Sequence, residues 1–377
     1  MKNKNGFISV IIGILFSIIC ITSYADSGKD TIKIAAILAK TGKAGPSKVF
    51  HYKLINFAID EINAKGGVLG KKIELMEIDN QSTPLGSKSA AEKAVNAGAI
   101  AVIGPTSSSR SLGAAPVLQK AKIPMITPSA TNPKVTLIGD YIYRACYIDP
   151  FQGTIMASYA IKKLKAESAV VLTNAGNWFS VDLSNFFIRN YKKQGGKILW
   201  KSDYSADEVN FKTPLEKIKN LKPDIIFVPG YDRDSGFIIK QARKMGITAP
   251  FLGGDGWNLA MYKYGDEAID GSLFSSHWHR DDPREISKKF LSRFEKSHGE
   301  IKTTPLAYDV VYLIADAIKR ANSSAPEKVK EALAKTRYFE GVTGEITFDE
   351  NGDPINKPAV ILKFENGEKK YIETIKP

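Results

Sequence analysis

From Thr31 onward, short apolar runs alternate with longer segments of helical periodicity. The run 32–38 is almost wholly apolar, the pattern of a strand buried on both faces of a parallel sheet. In 50–63, Leu54, Phe57, Ala58 and Ile62 recur at helical spacing, and the segment stops at Gly66-Gly67, where glycine suits a helix C-terminus. The same reading predicts strands over 73–79, 99–103 and 123–127, and helices over 85–98 and 112–120. After Asp149 the alternation restarts, with helices over 151–164, 181–194, 215–220 and 235–245. Strands over 169–173, 197–202, 224–228 and 251–252 are interleaved with them. The tail carries three more helices, over 286–297, 306–321 and 327–335.

Two runs of such alternation predict an α/β protein of two doubly wound parallel-sheet lobes with helices on both faces. A chain of 377 residues is long enough for two cores. The tail is too helical to stand as a third domain and is expected to complete one lobe. The expected boundaries are 26–148 with 276–357 for one lobe, and 149–275 with 358–377 for the other. The crossings near Asp149, Ser275 and Lys357 are short, which makes them a multi-crossing hinge beside a cleft.

Residues 1–25 stand outside that pattern. Lys2 and Lys4 precede an apolar stretch from Phe7 to Ile21, shorter than the ~20 residues of a membrane span. Ser23 and Ala25 put small residues at the −3 and −1 positions of a cleavage site. This predicts a signal peptide removed after Ala25 and a periplasmic or otherwise extracytoplasmic location. An uncleaved anchor, or lipidation at Cys20, would be the alternatives. Without that segment one cysteine remains, Cys146, so the mature chain has no internal disulfide. The formal charge is +13, but the lysines are scattered along helical segments rather than gathered into a stripe. That argues against a nucleic-acid partner and for a basic solvated surface.

Three fragments carry the candidate chemistry: Gly104-Pro105-Thr106-Ser107-Ser108-Ser109, Thr127-Pro128-Ser129-Ala130-Thr131-Asn132-Pro133 and Gly253-Gly254-Asp255-Gly256-Trp257. Each follows a strand, where ligands bind in open α/β sheets. The first two offer hydroxyls and N–H groups suited to an anion, the first at the start of a helix. Either alone serves equally well as a helix cap. The third offers one carboxylate suited to a cation, or an Asx-turn. An α-amino acid carries both charges on one carbon. Tyr231 could turn a hydroxyl or its aromatic face to an ammonium. Trp178 and Phe179 follow another strand and belong to the cleft or the core. His277 and His279 flank Trp278 near the hinge; a hinge or surface role outweighs a metal site. No nucleophile elbow, Walker loop or clustered metal-ligand spacing is present, so no catalytic residue, cofactor or metal is assigned and the chain does not read as an enzyme.

These fragments resemble the leucine/isoleucine/valine-binding group of type I periplasmic binding proteins, the receptors of ABC importers for branched-chain amino acids. The likeness also includes Asp60-Glu61-Ile62-Asn63-Ala64-Lys65-Gly66-Gly67, Val102-Ile103, Arg144 with Asp149, and Gln152-Gly153. It spans the whole mature chain. It implies a ligand carboxylate held by Ser107 or Ser108 with Ser129, Ala130 and Thr131, and an ammonium held by Asp255 and Tyr231. Asp149, Trp178 and Phe179 would complete the site. Where the family often has tyrosines this chain has Ser47 and Phe179, which points to an apolar side-chain pocket. The implied function is binding of a branched-chain or other apolar amino acid by hinge closure, as a monomer that delivers it to ABC permease subunits. A ligand-sensing subunit of a signalling receptor, or a binder of a related small amide or carboxylate, would use the same cleft. An extracellular hydrolase lacks a nucleophile–base pair, and a DNA-binding regulator would need its DNA-reading helices where the leader stands.

Overall fold

A computed structural model describes residues 31–377; the expected leader and its cleavage site lie outside the described residues. The first run of alternation forms a wholly parallel sheet. Its strands are β1 (Ile32–Leu38), β2 (Ile73–Asp79), β3 (Ala101–Ile103), β4 (Met125–Thr127) and β5 (Ile142–Arg144), in the order β2-β1-β3-β4-β5. β1 is buried on both sides because its side chains alternate between two helical layers. Ile34, Ala36 and Leu38 pack with helices Gly45–Ala64, Glu285–His298, Leu306–Ala321 and Pro326–Ala334. Ala35 and Ile37 pack with helices Pro84–Asn96 and Ser108–Ala121. The tail helices thus complete the first lobe's core.

The second run repeats that order. β6 (Ser168–Asn174), β7 (Lys197–Tyr204), β8 (Ile225–Phe227), β9 (Phe251–Gly253) and β10 (Leu273–Ser276) lie as β7-β6-β8-β9-β10, all parallel. Ala169 and Val171 of β6 face helices Asp149–Lys162 and Trp178–Lys193. Val170 and Leu172 face helices Lys212–Leu221 and Asp232–Lys244. The expectation of two doubly wound lobes is met. In both sheets the order reverses at one strand, β1 or β6, so the carboxyl edges carry crevices fit for a ligand.

The second sheet is mixed rather than purely parallel. After a hairpin of β11 (Phe339–Gly341) and β12 (Gly344–Ile346), β13 (Ala359–Glu365) pairs antiparallel with β10, and β14 (Glu368–Ile375) with β13. The β13–β14 pair is set by the two-residue turn Asn366-Gly367, with φ of 53° and 81°. A turn with both central residues at positive φ returns the chain antiparallel. The chain passes between the sheets after β5, after β10 and after β12. Strand β5 and the 3₁₀ turn Pro133–Ile138 were not predicted; both are too short to show a period.

Candidate functional site

In the first lobe, two loops at the carboxyl edge are tied to each other. Gly104 ends β3 at φ 91°, and a Cβ there would lie 2.6 Å from the Ile37 carbonyl, so only glycine lets the chain turn this close to β1. Ser107 caps the helix Ser108–Ala121 by position, and its Oγ accepts from Arg110 Nε. Ser108 is 1% exposed and its Oγ accepts from the Asn132 N–H at 3.3 Å. The Thr127 hydroxyl donates to the Pro105 carbonyl, and Ser129 Oγ donates to the Thr106 carbonyl at 2.9 Å. Behind the second loop the fully buried Arg144 donates to the carbonyls of Ala130 and Asn132, to Thr136 Oγ1 and to Asp353. The resulting edge is rigid, bears hydroxyls at a helix N-terminus and places no carboxylate among them.

In the second lobe one glutamine organises the acid. Gln152 Oε1 accepts from the Asp255 N–H at 2.7 Å and from Ser275 Oγ at 2.8 Å. Its Nε2 donates to Asp255 Oδ1 at 2.9 Å and to Asp149 Oδ1 at 3.3 Å. His277 Nε2 lies 2.9 Å from the other Asp255 oxygen, and the His277 ring packs on Tyr147 with centroids 4.0 Å apart. The Asp255 side chain is only 8% exposed. The glycines around it serve close approach: a Cβ on Gly254 would lie 2.5 Å from Gln152 Oε1, and one on Gly253 would enter the Trp257 ring. Tyr231 stacks on Phe179 with centroids 5.4 Å apart. Burial pushes its hydroxyl up to about 12.

Ser108, Ser129, Phe179, Tyr231 and Asp255 line one cavity. The other candidates stand elsewhere. Ser107, Ala130 and Thr131 are buried and are not part of its lining, and the Thr131 hydroxyl engages no hydrogen bond among the described residues. Asp149 is wholly buried, and its carboxyl is pushed well above the usual carboxylate range by that burial and then by the charge of Asp255, with the Thr131 hydroxyl beside it pulling the other way. Trp178, expected in the cleft, is 50% exposed beneath the Lys134 ammonium, 4.4 Å from its ring centre, and does not line the cavity. Trp257 lines the cavity with Phe179, and His51, Thr303, Thr304 and Lys369 line it too.

Sequence reasoning assigned no role in the site to Gln152, His277, Thr303, Thr304 or Lys369. Gln152 stands within the family-like stretch, and His277 directly follows β10, the position that singled out the other loops. Nothing local marks the remaining three. Across the cleft, the Trp178 N–H donates to Ser109 Oγ at 3.2 Å, and Asn132 Nδ2 donates to Asp182 at 2.7 Å. Lys134 pairs with the same aspartate at 3.0 Å. Among the described residues no group of three His, Cys, Asp or Glu side chains could hold a metal, and no helix is long and apolar enough to cross a membrane.

A family model described as periplasmic binding protein matches residues 31–369. The leucine-, isoleucine-, valine-, threonine- and alanine-binding protein of Pseudomonas aeruginosa is 29% identical over 90% of this chain and 92% of its own length. Among solved structures, the leucine binding protein LivK of Thermotoga maritima is 36% identical with a TM-score of 0.88, covering 92% of this chain and 99% of that one. The branched-chain amino acid transporter substrate binding protein LivJ of Streptococcus pneumoniae, in complex with isoleucine, is 34% identical with a TM-score of 0.87, covering 92% and 100%.

Proposed function

Since the chain belongs to the periplasmic binding protein family, a family of solute receptors rather than enzymes that work outside the cytoplasm, we propose that it captures a free α-amino acid between its lobes for an ABC importer. One observation carries this reading: the Asp255 carboxylate and the Ser108 and Ser129 hydroxyls line the same cavity from opposite lobes. The carboxylate suits an ammonium. The Ser108 hydroxyl and the first N–H groups of helix Ser108–Ala121 suit a carboxylate, and Ser129, whose own proton goes to the Thr106 carbonyl, flanks them. Tyr231 and Phe179 give the stem of the side chain an apolar face. Ser107, Ala130 and Thr131 support the hydroxyl edge without lining the cavity. Asp149 fixes Gln152, which in turn fixes Asp255. The names of the relatives put leucine, isoleucine and valine first among ligands to test.

In this reading the lobes comprise 26–148 with 276–357 and 149–275 with 358–377, and close by a hinge at the three crossings. The receptor works as a monomer and passes its ligand to permease subunits. Residues 1–25 are a signal peptide removed after Ala25, which N-terminal sequencing of the exported protein would check. The central test is calorimetric titration with the twenty amino acids and with matched primary amines and carboxylic acids. Binding of at least one amino acid, and of neither half-analogue at comparable strength, is the expected result. Equal binding of an amine or an acid alone would refute a two-point grip.

A further inference from the structure

The cavity holds a cation that an apolar amino acid would leave unused. Lys369 lies on β14 one residue beyond the Asn366-Gly367 turn's first strand position, and its side chain lines both the cavity and the groove adjoining it. Its ammonium makes no hydrogen bond or ion pair among the described residues. Burial is the main cause that pushes its pKa down to about 8, against the attraction of Asp232 and Glu300. Thr303 and Thr304 line the same cavity, and their hydroxyls engage no hydrogen bond among the described residues. Asn258 beside them is already committed, giving Nδ2 to Asp232 at 2.8 Å and taking the Ala260 N–H at 2.8 Å.

The charges of the wall then count against a purely apolar ligand. Asp255 answers an α-ammonium, and neutral donors answer an α-carboxylate. Lys369 remains: it is half-buried on the cavity wall, forms no ion pair among the described residues and is attracted only by the charges of Asp232 and Glu300, and a ligand that strips its remaining water without bringing an anion would pay for that desolvation. Relief comes from an anion brought by the ligand. The two free hydroxyls would complete its hydrogen bonds, as charged groups require when water is excluded.

We propose that the amino acid bound here carries a second carboxylate on its side chain, received by Lys369 with Thr303 and Thr304. This rests on the amino-acid reading above and names the ligand class of that same cavity: acidic amino acids. The apolar stack of Phe179 and Tyr231 then covers the methylene stem rather than a branched side chain.

The test is calorimetry of the purified protein and its Lys369→Met and Lys369→Gln variants with L-glutamate, L-aspartate, L-glutamine and L-leucine. Wild type should bind one acidic amino acid at least tenfold tighter than leucine. Either variant, its fold checked by circular dichroism, should lose thirtyfold or more for the acidic ligand while its affinity for leucine holds or rises. Leucine as the tightest ligand of wild type, or an equal loss for all four ligands in both variants, would overturn the proposal. Asp255→Asn separates the two readings. If it weakens every amino acid while Lys369 is indifferent to side-chain charge, only the acidic class falls. If no amino acid binds wild type, both readings fall.

Discussion

Replacing Asp255 by asparagine isolates the charge that the two-point grip needs. The carboxylate accepts one bond on each oxygen, from Gln152 Nε2 at 2.9 Å and from His277 Nε2 at 2.9 Å. An ionised carboxylate offers about four acceptor positions, so about two remain for a ligand ammonium. Asparagine keeps the shape and one carbonyl oxygen, and the backbone N–H bond to Gln152 at 2.7 Å is untouched. What goes is the charge. A hydrogen bond to a charged group contributes about 1.5–3 kcal/mol, and removing one partner of a buried ion pair costs about 3–5 kcal/mol. The side chain is 8% exposed, so solvent screens the pair little. With one acceptor retained, the loss should sit near the low end, about 3 kcal/mol, or roughly a hundredfold in Kd. Calorimetry on variant and wild type at one pH, with melting curves to confirm folding, measures it directly. A folded variant binding within threefold of wild type would refute the assignment of Asp255 to the ammonium.

Three further outcomes are expected. Ser108→Ala should weaken an amino acid by about 1.5 kcal/mol, roughly tenfold, yet barely affect its methyl ester, which lacks the carboxylate charge; equal losses in a paired titration would make Ser108 a cap only. Saturating ligand should shrink the radius of gyration in small-angle scattering, and Asn132→Ala, which cuts the 2.7 Å bond to Asp182, should enlarge that of the ligand-free protein; no change in either would count against hinge closure. Lys369 should cost stability when no ligand is present. Its pKa falls from 10.5 to about 8 on folding, so between those values the unfolded chain binds more protons and wild type gains stability as pH rises. Lys369→Met lacks that rise and should be more stable below pH 8 by up to about 3 kcal/mol in urea titrations; parallel pH profiles of the two proteins would contradict a partly desolvated ammonium.

The parts of this protein that could be read from sequence are those whose cause is local. β1 shows as an apolar run because both of its faces are buried, and the helix Leu306–Ala321 shows because one apolar face repeats over 16 residues. Strand β5 has three residues and no period to detect. The β13–β14 hairpin was legible and missed: Asn366-Gly367 between two alternating segments is a strong hairpin signal, outweighed by the helical character of the preceding tail. The cavity divides along the same line. Ser108, Ser129, Tyr231 and Asp255 could be named because each follows the carboxyl end of a parallel strand, a position the fold itself reserves for ligands.

Lys369, Thr303 and Thr304 follow no such strand. Lys369 lies on a strand antiparallel to its neighbour, and the two threonines precede a helix of the other lobe. They meet the cavity only after the chain has crossed between the lobes, so their convergence is a property of tertiary structure and leaves no mark at 303, 304 or 369. The division has a consequence for specificity. The strand-end residues meet the α-carbon, which every amino acid shares, so they cannot distinguish one amino acid from another. Discrimination must come from groups that meet the side chain, and among the described lysines and arginines only Lys369 lines this cavity. An apolar side chain placed against it would strip water from that half-buried ammonium without pairing it, and discrimination against such ligands follows from that cost rather than from any added attraction.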